Sequence, residues 1–248
     1  VRVFMADGRE LDYHKLFVTD ATGRELLASI HAEGTRSARI RVASQDAVYP
    51  ILIDPTFSDA DWTVIAAPAA TIGDMKAMAV DRNNSRIFFA GVFSAINGVS
   101  AEEIAVWNGS TFAAIPGGPA NINALAYDHG ANRLYVGGLF VNPGAFVASW
   151  SQADGWRPLG SGVGSTVNDI VVDEQRGRVY VTGLFQTAGG SGAQFIDMYE
   201  NGAWSQVGGG LSSFGQSLAL DPATGHLYAS GGFDFAEGRT VNFVARWD

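Results

Sequence analysis

Four aspartates, Asp81, Asp128, Asp173 and Asp221, each close a short apolar run, and each is followed five residues later by Arg86, Arg133, Arg178 or His226. Isolated carboxylates of this kind can act as acids or bind metal. Recurrence at the same place, across tetrapeptides such as Arg82-Asn83-Asn84-Ser85 and Pro222-Ala223-Thr224-Gly225, instead reads as the two ends of a hairpin. His226 holds the column of the three arginines and is a substituted turn residue. His129 follows Asp128 in a turn, and His14 and His31 lie outside the repeating region, so no histidine pair has the spacing of a zinc site. Five residues before each Asp stand Lys76, Asn123, Asn168 and Gln216, all polar. The next column reads Ala77, Ala124, Asp169 and Ser217, so Asp169 is a carboxylate that breaks a small-residue pattern. Lys76, Asn123, Asn168, Asp169 and Gln216 are the candidate ligand-binding residues. One carboxylate falls short of the acid and base pair that glycoside hydrolysis normally uses, and no catalytic residue or metal ligand is assigned.

The glycine-rich stretches invite a phosphate reading that their context does not support. Gly160-Ser161-Gly162-Val163-Gly164 leads from one strand into another, with no helix N-terminus to meet an anion and no following lysine. Gly189-Gly190-Ser191-Gly192-Ala193-Gln194 shares only its glycines with a calcium-binding nonapeptide, since Gln194 stands where Asp is required. Both read as turns.

The elements that carry these residues repeat. Arg86-Ile87-Phe88-Phe89-Ala90-Gly91-Val92-Phe93 returns as 133–140, 178–185 and 226–233, with the closing Phe93, Phe140, Phe185 and Phe233 standing 47, 45 and 48 residues apart. A third strand follows in each unit around Trp107, Trp150, Tyr199 or Trp247. Asn108-Gly109, Asp154-Gly155 and Asn201-Gly202 then supply tight turns. A fourth strand opens on Phe112, Trp156 or Trp204 and places Ile115, Leu159 or Val207 three residues on. Four strands in about 47 residues, with small residues in the inner ones, form the blade of a β-propeller. The fold class expected is therefore all-β, with four blades' worth of strands. In that architecture the polar column lies around one mouth of the central channel, where it either meets a ligand or solvates the entrance. Trp62-Thr63-Val64-Ile65 matches the fourth strand but has no blade before it, while the last unit stops after its third strand. The ring is then either larger than four blades, which is the favoured expectation, or closed by the Trp62 strand.

Residues 1–56 lack the repeat and read as a small, sandwich-like β module with strands around Leu16–Val18, Leu26–Ile30, Ala38–Val42 and Val48–Ile53. Residues 54–61 connect it to the repeats of 57–248. With 16 Lys and Arg against 25 Asp and Glu the chain carries a net charge of −9, which repels phosphate backbones, so nucleic acid is not an expected partner. No apolar run reaches the roughly 18 residues of a transmembrane helix. With no cysteine there is no disulfide, thiolate metal site or Cys nucleophile.

The unit Leu134-Tyr135-Val136-Gly137-Gly138-x-Phe140, with Val147-Ala148-x-Trp150, Gly155-Trp156 and Leu159-Gly160-Ser161-Gly162, resembles repeats of large secreted bacterial β-propeller proteins. It is also similar to the propeller repeats of fungal Rax2-like cortical markers. The segment ending Ala47-Val48-Tyr49-Pro50-Ile51-Leu52-Ile53-Asp54-Pro55 is similar to one that precedes repeat arrays in bacterial surface proteins. The resemblance implies an extracellular or envelope location and carries over no catalytic residue. The function expected is a non-enzymatic scaffold or binding module with a protein or glycan partner and no cofactor. The alternatives are a glycan-active hydrolase or lyase using Asp169, and a self-assembling repeat of a surface fibre.

Overall fold

The computed structural model describes residues 2–4, 10–12, 15–33, 37–56, 65–66 and 72–248. The chain divides into two compact units, Val1–Ile65 and Ala66–Asp248. His14, the segment 57–61 and Trp62-Thr63-Val64 lie outside the described residues.

Among the described residues the first unit holds three antiparallel pairs: β1 (Arg2–Phe4) with β2 (Glu10–Asp12), β3 (Lys15–Thr19) with β6 (Leu52–Thr56), and β4 (Ala28–Glu33) with β5 (Ser37–Val42). Its loops are organised by Asp20, which accepts hydrogen bonds from the Thr22 hydroxyl (2.5 Å), the Thr22 amide (2.9 Å) and the Arg24 guanidinium (3.2 Å). The Thr22 hydroxyl is the chief reason that the Asp20 carboxyl is held down at about 2.

In the second unit the alternation of apolar residues with turn dipeptides produces four antiparallel meanders. The first is β7 (Ile72–Asp81), β8 (Arg86–Ile96), β10 (Ile104–Trp107) and β11 (Phe112–Ala114), with β9 (Val99–Ser100) folded back on the end of β8. The second is β12 (Ile122–Asp128), β13 (Arg133–Gly138), β14 (Val147–Ser151) and β15 (Gly155–Pro158). The third is β16 (Val167–Asp173), β17 (Arg178–Gly183), β20 (Ile196–Glu200) and β21 (Ala203–Gln206), with β18 (Thr187–Ala188) and β19 (Ser191–Gly192) forming a small hairpin between β17 and β20. Among the described residues the fourth has three strands, β22 (Gly215–Leu220), β23 (Leu227–Gly231) and β26 (Val244–Trp247), and a similar hairpin of β24 (Phe235–Ala236) and β25 (Arg239–Thr240).

The first strands of the four sheets, β7, β12, β16 and β22, pack side by side in that order, while the outer strands of neighbouring sheets do not meet to a similar extent. The sheets therefore fan out from their innermost strands. Among the described residues no comparable packing joins β22 back to β7, so the fan is open.

Period-2 alternation gives each sheet two apolar faces, and both are used. Phe88, Ala90 and Ile104 of the first sheet meet Leu134, Val136 and Ala148 of the second. Tyr135 and Val147 of the second meet Ile170, Val179 and Val181 of the third. Tyr180 and Ile196 of the third meet Leu218, Leu227 and Ala229 of the fourth. At the two ends of the fan the same columns lie in the open: Met78 and Val80 on the first sheet, Tyr228 and Val244 on the last.

Candidate functional site

Each innermost strand carries an irregularity in its register at the same place, and β7 has a second one between Ile72 and Gly73. The pairing skips between Met75 and Ala77, between Ile122 and Ala124, between Val167 and Asp169, and between Gly215 and Ser217. The skipped residues are Lys76, Asn123, Asn168 and Gln216. The polar column is thus a column of β-bulges, and the bulge explains its polarity. The extra residue has no ladder partner, and its side chain is re-aimed out of the sheet's alternation.

The bulge side chains point to the next sheet. Lys76 Nζ donates to Asn123 Oδ1 at 3.2 Å, Asn123 Nδ2 donates to the Val167 carbonyl at 3.0 Å, and Asn168 Nδ2 donates to the Gly215 carbonyl at 2.8 Å. Val167 and Gly215 are the residues just before the next bulge, so each amide ties one bulge to its successor. Gln216, on the last sheet, is exposed.

Asp169 lies one residue beyond its bulge and is also drawn across. Its Oδ2 accepts the Leu218 amide at 2.7 Å and the Ser217 hydroxyl at 2.9 Å, and its Oδ1 accepts the Ile170 amide at 2.8 Å. A carboxylate with three donors, two of them from the neighbouring sheet, is a strap between the third and fourth innermost strands. Asp169→Ala is expected to cost about 2 kcal/mol, because it removes a charged acceptor and strands a backbone N–H. Urea unfolding measures the loss, and faster hydrogen exchange at the Leu218 amide distinguishes a broken strap from a general loosening.

The opposite ends of the innermost strands carry the aspartate column. Asp81 is fully buried and binds the Asn84 amide (3.1 Å), Asn84 Nδ2 (2.9 Å) and the Arg86 guanidinium (2.9 and 2.6 Å). Burial works to raise its pKa, and these hydrogen bonds outweigh that and hold it below the ordinary carboxylate value. Asp128 caps the Ala131 amide, Asp173 the Gln175 and Arg176 amides, and Asp221 the Ala223 amide and the Thr224 hydroxyl. Asp81, Asp128 and Asp173 pair in register with Arg86, Arg133 and Arg178. The arginines then diverge. Arg86 turns to Asp81, but Arg133 binds Asp154 at 2.5 Å and Arg178 binds Glu200 at 3.0 Å. His226 reaches Asp248 at 3.4 Å.

Sequence reasoning passed over three features. Neighbouring hairpins are linked where Asn83 Nδ2 donates to the His129 carbonyl at 2.7 Å and His129 Nδ1 meets Glu174 Oε1 at 2.6 Å. The indoles of Trp156 and Trp204 donate to the Pro116 and Leu159 carbonyls, both at 3.1 Å. Asp197, 2% exposed, lies on the face of the third sheet that meets the second, opposite Val181. Burial pushes its carboxyl up to about 6, against the smaller opposing effect of the Met198 and Ser205 amides. Its column in the other sheets is Ala105, Ala148 and Ala245. The test that singled out Asp169 applies equally to this third-strand column.

The glycine-rich stretches are turns. Gly160 and Gly162 adopt φ of +57° and +74° after β15, and Gly189 and Gly190 (+61° and +83°) turn the β18–β19 hairpin. Among the described residues no group of three or more His, Cys, Asp or Glu is placed to hold a metal ion, and no helix is long and apolar enough to cross a membrane.

No family model and no curated protein matches the chain. Solved structures to which it is similar include the GH74 enzyme of Niastella koreensis, at 18% identity and a TM-score of 0.46 over 63% of this chain and 26% of that one. This chain thus spans about a quarter of the enzyme's length. A second is a chain of the nidogen/laminin complex, at 14% identity and a TM-score of 0.44 over 87% of this chain and 69% of that one.

Proposed function

We propose that this chain is a non-enzymatic extracellular interaction module, its four sheets being consecutive blades of a β-propeller of the secreted bacterial type, with a protein or glycan partner. The observation that carries this reading is the bulge rim. Lys76, Asn123, Asn168 and Asp169 spend their hydrogen bonds on neighbouring side chains and backbone, which fixes the spacing of the innermost strands. A frame so tied offers a partner a rigid surface at little ordering cost. Asp169 serves that frame with both oxygens, which leaves it poorly placed to exchange a proton with a substrate.

The double variant Lys76→Glu, Gln216→Ala alters the exposed ends of the rim and leaves the Asn123 and Asn168 ties intact. In pull-downs from the producing organism's surface fraction and on glycan arrays, the wild-type chain is expected to capture a partner that the double variant captures at least several-fold less. Turnover of a polysaccharide, abolished by Asp169→Asn, together with no captured partner, would reverse the assignment in favour of a glycan-active enzyme.

A further inference from the structure

Three asparagines precede glycine in exposed turns: Asn97-Gly98, Asn108-Gly109 and Asn201-Gly202. The last two stand at equivalent places in the first and third sheets, where the third strand turns into the fourth. Asn-Gly suits such hairpins because the tip needs left-handed backbone, and Gly109 and Gly202 have φ of +94° and +87°. The dipeptide also has a chemistry of its own. The backbone nitrogen that follows an asparagine can attack the side-chain amide carbon, and glycine, with no side chain, leaves that nitrogen unshielded.

In access the two turns match. Asn108, Gly109, Asn201 and Gly202 are all exposed, and a Cβ on either glycine would meet nothing within 4 Å. Each tip is closed by strand pairing, Trp107 opposite Phe112 and Glu200 opposite Ala203. The asparagine side chains are where they differ. Asn108 Oδ1 accepts the Ser110 amide at 3.0 Å, the Thr111 amide at 2.9 Å and the Thr111 hydroxyl at 3.4 Å, the local bonding that asparagine makes in turns. Closing a ring from Cγ to the next nitrogen rotates the asparagine's own Cα–C bond, which carries residues 110 and 111 away from Oδ1. Those bonds must therefore break before Asn108 can react. Among the described residues the Asn201 side chain has no hydrogen-bond partner, so the same rotation breaks none there.

We propose that Asn201-Gly202 is a modification site, at which the folded chain loses ammonia from Asn201 in water without an enzyme, while Asn108-Gly109 is protected by its side-chain bonds. The Gly202 nitrogen gives its proton to water or hydroxide and bonds to Asn201 Cγ. The Cγ–Nδ2 bond breaks, and Nδ2 takes up a proton and leaves as ammonia. One water then opens the cyclic imide at either carbonyl, yielding aspartate at 201 or its isomer, in which the chain runs through the side-chain carbonyl. No oxidant or reductant takes part. The aspartate product repeats the second sheet, where Asp154 precedes Gly155 and binds Arg133 at 2.5 Å. The isomer adds a backbone carbon to a two-residue turn whose twist is matched to its strands. Either product adds one negative charge to a chain that carries −9. The proposal is independent of what the chain binds.

The test is incubation of the folded 248-residue chain in mildly alkaline heavy-oxygen water, followed by proteolysis and mass spectrometry of the fragments that carry 108 and 201. Heavy oxygen is expected to enter at 201 about tenfold faster than at 108, the combined worth of the hydrogen bonds that Asn108 must give up. In urea, with both turns unfolded, the two rates are expected to converge, because Asn-Gly-Ala and Asn-Gly-Ser differ little in intrinsic reactivity. Both aspartate and its isomer are expected at 201, the isomer being read by enzymatic methylation of its free carboxyl. The proposal is overturned if 108 reacts as fast as 201 in the folded chain, or if 201 reacts only in urea. It is also overturned if the tenfold difference persists in urea, which would assign it to local sequence, or if aspartate forms at 201 with no isomer, which would replace the cyclic route by direct hydrolysis.

Discussion

Asp197→Ala is expected to stabilise the chain at pH 7 by about 2 kcal/mol, the reverse of what removing a buried polar side chain usually does. The carboxyl is 2% exposed on an apolar face, in a column that is alanine in the other three sheets. Its hydrogen bonds come from backbone amides, and no cation is among the causes acting on its pKa, which burial raises from 3.8 to about 6. A folded-state pKa above the unfolded value means that the native state binds the proton more tightly. The stability that Asp197 contributes is then greatest below about pH 4 and falls as pH rises through 6, with each pKa unit worth about 1.4 kcal/mol. The shift corresponds to roughly 3 kcal/mol, of which the alanine variant recovers most, less a small loss of packing. Asp197→Asn, which keeps the shape and removes the charge, should give a similar gain. The measurement is the difference in urea-unfolding free energy between variant and wild type from pH 4 to pH 8. Taking the difference cancels carboxylates such as Asp20, whose lowered pKa gives the opposite slope. A gain of equal size at pH 4 and pH 7 would show that charge burial is not its source.

The second large effect is expected at a glycine. Gly91, Gly138, Gly183 and Gly231 occupy one column of the second strands, and none has a left-handed φ. Their reason is crowding: a Cβ would stand 2.0, 2.2, 2.1 and 2.3 Å from the carbonyl oxygens of Asp74, Asn121, Thr166 and Phe214 respectively. These carbonyls lie two residues before each bulge. Those of Asn121, Thr166 and Phe214 accept the amide of the residue after the glycine, at 3.0, 2.9 and 2.9 Å. The bulge thus brings the innermost strand's backbone down onto the second strand, and only a residue without a side chain fits beneath it. Gly183→Ala must push β16 away at Thr166 and Val167, which loosens the Asn123 tie to the Val167 carbonyl as well. The expected cost is about 3 kcal/mol, at the upper end of overpacking effects because the obstacle is backbone. Gly192→Ala is the control. With nothing within 4 Å of its Cβ and an ordinary φ it should change stability by less than about 0.5 kcal/mol. Equal losses at the two positions would show that the close approach at the bulge is not the cause, since the entropy of glycine in the unfolded chain by itself makes Gly→Ala stabilising.

Both effects mark how far column reading reached. Aligning the repeats located the bulge column, because Lys76, Asn123, Asn168 and Gln216 are polar in every unit. It also isolated Asp169 as the carboxylate in a small-residue column. Applied to the third strands, the same comparison would have found Asp197. What alignment could not supply is the direction of the side chains. Polarity at the starts of the innermost strands suits a ligand and a structural tie equally well. The ladder skips at Asn123 and Asn168, and their amides donate to carbonyls 44 and 47 residues away.

The repeats therefore divide the properties of this chain in two. Strand order, hairpin ends and the Asp caps were legible in the sequence, because each depends on residues within a few positions of one another: alternation, turn dipeptides, and an Asp within reach of the next amides. The straps at the rim, the divergence of Arg133 and Arg178 from the aspartates they face and the crowding above Gly183 were decided by tertiary structure. Most of those contacts join residues a strand or a whole repeat apart. Periodicity states that the neighbouring strand resembles the strand in hand. It does not state how closely the two approach or which atoms they share, and those distances determine whether a polar residue is a tie, a strained acid or an open site.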